Sequence, residues 1–293
     1  MHWFLLAMIC AISLASADAA TKHWLRDYGA REVTLIRFSL SGLLLSPLLL
    51  VQPFPELPVM FWSWIALLMP LEIIALLLYI KAIRDYPLWQ TLPYLAFTPV
   101  FVTFTGWLLL GETVSPLGFA GIFLIFTGTW ILNIETEESD GAPGLLSPLT
   151  TIMQCSGSKL MLLVAAIYSI TSVGGKAAMQ YMPPDLFGPF YFALLGLITL
   201  VLFLIQKPTT LRALYRQPTP NIMIALFMAV MVITHFLALQ QIEAAYMIAV
   251  KRSSMLFGII FGAILFNEKG VGTHMTGGAV ILAGVALIAL GSH

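Results

Sequence analysis

Gly106-Trp107-Leu108-Leu109-Leu110-Gly111-Glu112 returns 156 residues later as Gly262-Ala263-Ile264-Leu265-Phe266-Asn267-Glu268. The register continues past both heptapeptides without a gap, setting Gly121 on Gly277, Ile125 on Ile281 and Gly128 on Gly284. Upstream, Ala82 falls on Ala238 at the same shift, and a shift of 154 sets Ala11 on Ala165 and Lys22 on Lys176. Self-similarity at a nearly fixed offset marks an internal duplication.

Composition says in which solvent the duplicated unit folds. Charged residues make up 10% of the chain and mean hydropathy is +0.94, whereas a soluble domain carries about 25% charged residues. So few charges cannot cover a water-facing surface. Apolar runs lie near 3 to 21, 33 to 51, 61 to 82, 88 to 110 and 116 to 133, and again near 159 to 179, 186 to 205, 219 to 241, 245 to 266 and 272 to 290. Each approaches the roughly 20 residues that a helix needs to cross a bilayer. Between the two sets stands a polar stretch beginning Glu135-Thr136-Glu137-Glu138-Ser139-Asp140. The expected organisation is a first five-helix repeat over 1–134, a linker over 135–157 and a second five-helix repeat over 158–293. Because five is odd, the second copy enters the membrane from the opposite side. The expected fold class is an all-α membrane protein of ten transmembrane helices in two inverted-topology five-helix repeats.

Ala17-Asp18-Ala19 ahead of Ala20 resembles a signal-peptidase site. No Lys or Arg precedes the first apolar run, and the run has a counterpart in the second half, so we expect a retained helix. Lys and Arg in or beside the connections after odd-numbered spans are Lys22, Arg26, Arg31, Arg37, Lys81, Arg84, Lys159, Lys207, Arg212, Arg216 and Lys269, against Lys176 alone on the other side. The positive-inside rule puts those odd connections in the cytoplasm and both termini outside.

Zero formal net charge gives no reason to expect a nucleic-acid partner. Cys10 and Cys155 form neither a disulfide framework nor a metal-ligand spacing. The chain has no phosphate loop, HExxH or nucleophile elbow. We therefore expect no enzyme activity, cofactor or metal; the expected partners are a small-molecule solute and the lipid bilayer, with monomer and homodimer both open.

Trp107-Leu108-Leu109-Leu110-Gly111-Glu112 with Pro116, Gly121 and Gly128, and Ile264-Leu265-Phe266-Asn267-Glu268 with Gly277 and Gly284, resemble the closing helices of each repeat in the EamA-like branch of the drug/metabolite transporter superfamily. Pro99 and Arg37 match its usual proline in the fourth span and arginine in the second. The resemblance covers nearly the whole chain and implies two five-helix repeats and small-molecule transport, here in the plasma (inner) membrane of a prokaryote. Two features depart from the family: both termini are generally cytoplasmic there, and Lys251-Arg252 replaces apolar or small residues, with Met255 in place of the proline that follows them.

An ionisable group at a helix centre costs roughly 2.5 to 3.5 kcal/mol on insertion scales, so each is a site candidate. Glu72 lies midway along the third span, and Lys251 and Arg252 a third of the way along the ninth. We expect Lys251 and Arg252 to hold an anionic group, with Glu72 balancing them in the empty state; a permanent Glu72–cation pair is the structural alternative. Tyr79, Gln90 and Tyr94 add hydrogen-bonding groups beside Pro93 and Pro99, which can loosen the fourth helix. His235 is a candidate for proton coupling. Asp18, also a coupling candidate, is four residues from Lys22, a spacing that favours a local ion pair. Glu112 and Glu268 are expected in turns, and the glycine pairs at close helix contacts.

Overall fold

Apolar sequence shapes every element of the computed structural model, which describes residues 2–86, 92–134, 156–266 and 275–291. Gln90, Glu268 and nearly all of the 135–157 linker lie outside the described residues. Within them all regular structure is helical. The first half contains α1 (His2–Trp24), α2 (Ala30–Leu50), α3 (Val59–Asp85), α4 (3-10 turns Leu92–Phe97 continuing as α-helix Thr98–Leu110) and α5 (Pro116–Ile134). The second half contains α6 (Ser156–Ala178), α7 (Pro184–Gln206), α8 (Pro218–Gln241), α9 (Ala244–Lys251, then Ser254–Phe266) and α10 (Met275–Gly291). Six of these, α1, α2, α3, α6, α7 and α8, are long and apolar enough to cross a membrane, and α4, α5 and α10 are shorter apolar helices.

The helices pack in a pattern that maps onto itself when the halves are exchanged. α1 lies on α8 as α6 lies on α3, and α9 lies on α1 as α4 lies on α6. α2 meets α7, α4 meets α9 and α5 meets α10, so each of these helices packs on its own counterpart. A side chain at Gly121 would meet the Gly284 carbonyl oxygen at 2.7 Å, and one at Gly128 would meet that of Gly277 at 2.7 Å. Residue numbers rise along α5 as they fall along α10, so the pair is antiparallel. α2 and α7 repeat the device: a Cβ at Gly196 would stand 2.6 Å from the Phe38 carbonyl oxygen, while one at Gly42 would strike that of Phe192. With no hydrophobic drive between helices in lipid, close backbone approach at small residues supplies the packing energy.

Two local irregularities sit at charged residues. α2 widens into a π turn over Ile36–Leu40, which contains Arg37, and such turns often mark functional positions. Arg37, grouped by sequence with the connection cations, is only 3% exposed and belongs to the interior; its neighbours Arg26 and Arg31 remain at the connection. α9 is not the uninterrupted helix its apolar run suggests. Around Arg252 and Ser253 its backbone shifts to tighter bonds, Met255 N–H donating to the Arg252 carbonyl at 3.1 Å and Leu256 N–H to that of Ser253 at 2.9 Å.

Candidate functional site

The tightened segments of α4 and α9 face each other. Thr98 and Ser254, which begin their second pieces, are counterparts at the 156-residue shift. The Arg252 Nη2 donates to Thr98 Oγ1 at 2.9 Å, and Thr98 Oγ1 in turn donates to the Leu95 carbonyl at 2.7 Å. Arg252 is buried, yet its Nε–H has no partner. The preceding residue, Lys251, sets its Nζ 3.4 Å from His235 Nδ1 on α8.

Glu72 enters the same region from α3. Its carboxyl lies beside Thr171 of α6 and within electrostatic reach of Lys251, Tyr168 and Tyr191. Among the described residues no ion pair joins Glu72 to Lys251 or Arg252, so a permanent pair of that kind is not what the structure shows. Glu72, Lys251, Tyr79 and Tyr168 are only partly buried. The Tyr191 hydroxyl on α7 is buried without a partner. A buried donor left unsatisfied costs about 1 to 3 kcal/mol, so the Arg252 Nε–H and the Tyr191 hydroxyl are both groups that a polar ligand would relieve.

Asp18 bonds across helices, accepting from Arg37 Nη2 at 2.5 Å; the same nitrogen donates to Thr21 Oγ1 at 2.9 Å. Spacing alone points to Lys22 on the same helix face, and Arg37 of α2 is a partner that spacing does not reveal. Tyr79 stands within electrostatic reach of Asp18, Arg37 and Arg252, so it connects this pair to the α4–α9 break. Five sequence candidates therefore converge with Asp18: Glu72, Tyr79, His235, Lys251 and Arg252. Tyr94 is 1% exposed and packs on Phe97 and Trp130 in a satellite core with Ala82, Leu95, Met161 and Val164, against which Tyr79 and Tyr168 also pack. Tyr168, Thr171, Tyr191 and Thr98 were missed, since a lone Tyr or Thr in an apolar run carries no charge signal. The repeat does flag one of them, because Tyr191 is the counterpart of Arg37 at the 154-residue shift.

A second polar cluster closes the ends of α4, α6 and α8. Glu112 Oε1 pairs with Lys176 Nζ at 2.5 Å, Glu112 Oε2 accepts the Ala244 N–H at 2.9 Å, and Lys176 donates to the Ile242 carbonyl. Glu112 thus acts as a turn residue that also caps the start of α9.

The sequence profile of the EamA-like transporter family matches residues 1–134 and 156–290. The chain belongs to the EamA-like transporter family. This is a family of membrane transporters of small solutes, and the member described here is accordingly an integral membrane protein with two copies of the family's repeat. No curated protein matches the chain. A solved structure, titled only as a crystal structure of protein, superposes with a TM-score of 0.69 at 15% identity, covering 99% of this chain and 96% of its own. That likeness concerns the fold. At the centre of this EamA-like member Asp18 pairs with Arg37, and Glu72 lies within electrostatic reach of Lys251.

Proposed function

We propose that the chain is a secondary transporter that moves a small organic solute with an anionic group, zwitterions included, by alternating access. Ten membrane crossings in two inverted repeats provide the exchangeable halves, and the plasma (inner) membrane of a prokaryote, with the cation-rich odd connections in the cytoplasm, is the setting. The observation that carries this reading is the juxtaposition at the α4–α9 break: two adjacent cations, one with a buried donor unpaired, with Glu72 of α3 within electrostatic reach of Lys251. Arg252 would bind the solute's acid by its planar fork and Lys251 as a compact charge. Glu72 balances them when the site is empty and meets an ammonium group when the solute is zwitterionic. His235, beside Lys251, and Asp18, exposed on one side of its ion pair, are the candidates for coupling to a proton. Transport needs no cofactor or chemical step, and nothing in this group resembles the paired acid, base and nucleophile of a lipid-modifying enzyme.

The test is counterflow in proteoliposomes across a panel of anionic, zwitterionic and neutral metabolites. Wild-type protein is expected to exchange an acid-bearing class, and Glu72→Gln or Lys251→Met with Arg252→Met to abolish the exchange while leaving the protein monodisperse. Unchanged exchange in all these variants, or exchange of unrelated amphiphiles alone, overturns the reading in favour of a permissive exporter. A pH profile flattened by His235→Asn identifies the coupling group.

A further inference from the structure

Away from the central site, the structure holds a cavity of about 740 Å³ at the cation-rich face, between the start of α2, the end of α3 and the connection from α7 to α8. Its lining carries Arg31, Lys81, Lys207, Arg212 and Arg216 against one acid, Glu32. Glu32 is already engaged, accepting the Gly29 N–H at 2.7 Å to close the first turn of α2. The Arg216 guanidinium lies 5.0 Å from the centre of the Tyr28 ring. Among the described residues none of the five cations takes part in an ion pair. Like charges gathered around one cavity repel one another, and the first turn of α2 adds the positive end of its helix dipole. The arrangement is therefore built for an anion.

The wall beside these charges tells which kind of anion. Leu77 and Leu78 of α3 line the cavity next to Lys81. Leu67, Ile74, Leu78 and Lys81 recur at helical spacing along a single stripe of α3, and Leu67 and Ile74 are 47% and 45% exposed on the bundle's outer surface. A continuous apolar track runs from the cationic cavity along the outside of the bundle toward mid-membrane. A free phosphate has no use for such a track, whereas a phospholipid has a headgroup and an acyl chain in the same relation. Basic pockets between helices at the cytoplasmic face are places where anionic headgroups bind.

We infer that this cavity is a binding site for an anionic phospholipid, its headgroup phosphate held by Arg212, Arg216, Arg31 and Lys81 and an acyl chain laid along Leu78, Ile74 and Leu67. The cavity walls come from both repeats, α2 and α3 from the first and the α7–α8 connection from the second. A bound lipid therefore bridges the two halves at this face and favours the conformation in which those walls are close. The inference stands independently of which solute is carried.

The experiment is thermal unfolding of delipidated full-length protein in detergent, followed on addition of phosphatidylglycerol, phosphatidylcholine or inorganic phosphate. Ligands that bind only the folded state raise its apparent stability. Phosphatidylglycerol is expected to raise Tm by several degrees in a saturable way, with phosphatidylcholine and phosphate giving no comparable shift. Arg212→Gln with Arg216→Gln removes the shift, whereas Lys159→Gln, an exposed cation outside the cavity, keeps it. Should the double variant fold poorly, Arg212→Lys with Arg216→Lys retains the charge and is expected to retain a weakened shift at higher lipid concentration. An equal shift with phosphate overturns the lipid in favour of a soluble phosphate ligand. An equal shift with phosphatidylcholine, or equal loss in Lys159→Gln, overturns the site itself.

Discussion

At the α5–α10 seam, Gly121 rests on the Gly284 backbone and Gly128 on that of Gly277, so exchanging the two repeats leaves the contact unchanged. At the centre of the bundle the same exchange replaces Arg37 by Tyr191, Tyr79 by His235, Glu72 by Met228 and Arg252 by Ala96. The seam and the centre share one duplicated scaffold, but only the seam has kept matching chemistry. The difference is physical. Close helix packing demands absence of bulk, which both copies satisfy with glycine, whereas a polar ligand without internal symmetry is better held by unlike groups. Symmetric backbone with asymmetric lining lets the halves exchange conformations around a site that presents one orientation to its solute.

If the asymmetry is functional, giving one half the other's residue at the centre has the largest effect. Arg252→Ala installs the residue found at the counterpart position, Ala96, and removes a charged donor. Hydrogen bonds to charged groups contribute about 1.5 to 3 kcal/mol, so solute affinity is expected to fall about 10- to 100-fold in binding assays, with the fold intact. An affinity within twofold of wild type would make Arg252 a packing charge and leave the asymmetry without a role.

Seam substitutions test the other side of the comparison. Gly128→Ala and Gly284→Ala, counterparts at the 156-residue shift, each drive a Cβ to 2.7 Å from the facing carbonyl oxygen, and overpacking of this kind costs about 1 to 3 kcal/mol. The two are expected to lower thermal stability by equal amounts, because they meet the same surroundings. Unequal losses would break the symmetry that the geometry describes.

Next in size is Asp18→Asn, which removes the carboxylate charge and leaves the buried Arg37 guanidinium with neutral acceptors alone, the Thr21 hydroxyl and the Ala17 carbonyl among them. Loss of a buried partner is costly, but the Asp18 side chain is 38% exposed and the pair is partly screened, so we expect about 1 kcal/mol of destabilisation. A chemical denaturation series on Asp18→Asn beside Lys22→Gln separates the pairing seen here from the local one that spacing suggested.

What was legible in the sequence followed the strength of its signal. Apolar run lengths and the repeated glycines gave the helices and their order, and the isolated charges Glu72, Lys251 and Arg252 stood out because lipid makes them costly. Three things did not show. The break at Arg252–Ser253 has no proline to mark it, and the polar residues Lys251-Arg252-Ser253-Ser254 there do not by themselves announce a change of backbone. The Asp18–Arg37 pair joins residues 19 apart on different helices, which periodicity along one helix does not reveal. Tyr94 packs its ring on Phe97 and Trp130, and which way an aromatic in an apolar helix faces is decided by its neighbours in space.

The smallest expected effect lies at another asymmetric pair. Gly258 in α9 is the counterpart of Val102 in α4; Val102 is fully buried, whereas a Cβ at Gly258 would meet nothing within 4 Å. Glycine inside a helix is about 1 kcal/mol less favourable than alanine, so Gly258→Ala is expected to raise stability by about 0.5 to 1 kcal/mol. Read beside Gly128→Ala, this variant isolates the cause of the seam effect, since both place the same methyl group on a helix and differ only in what it meets. Equal destabilisation by both would mean that glycine is needed for helix flexibility at each position. Opposite signs would show that close backbone approach alone confines glycine to the seam, and that the second half is free to keep open space where the first is filled.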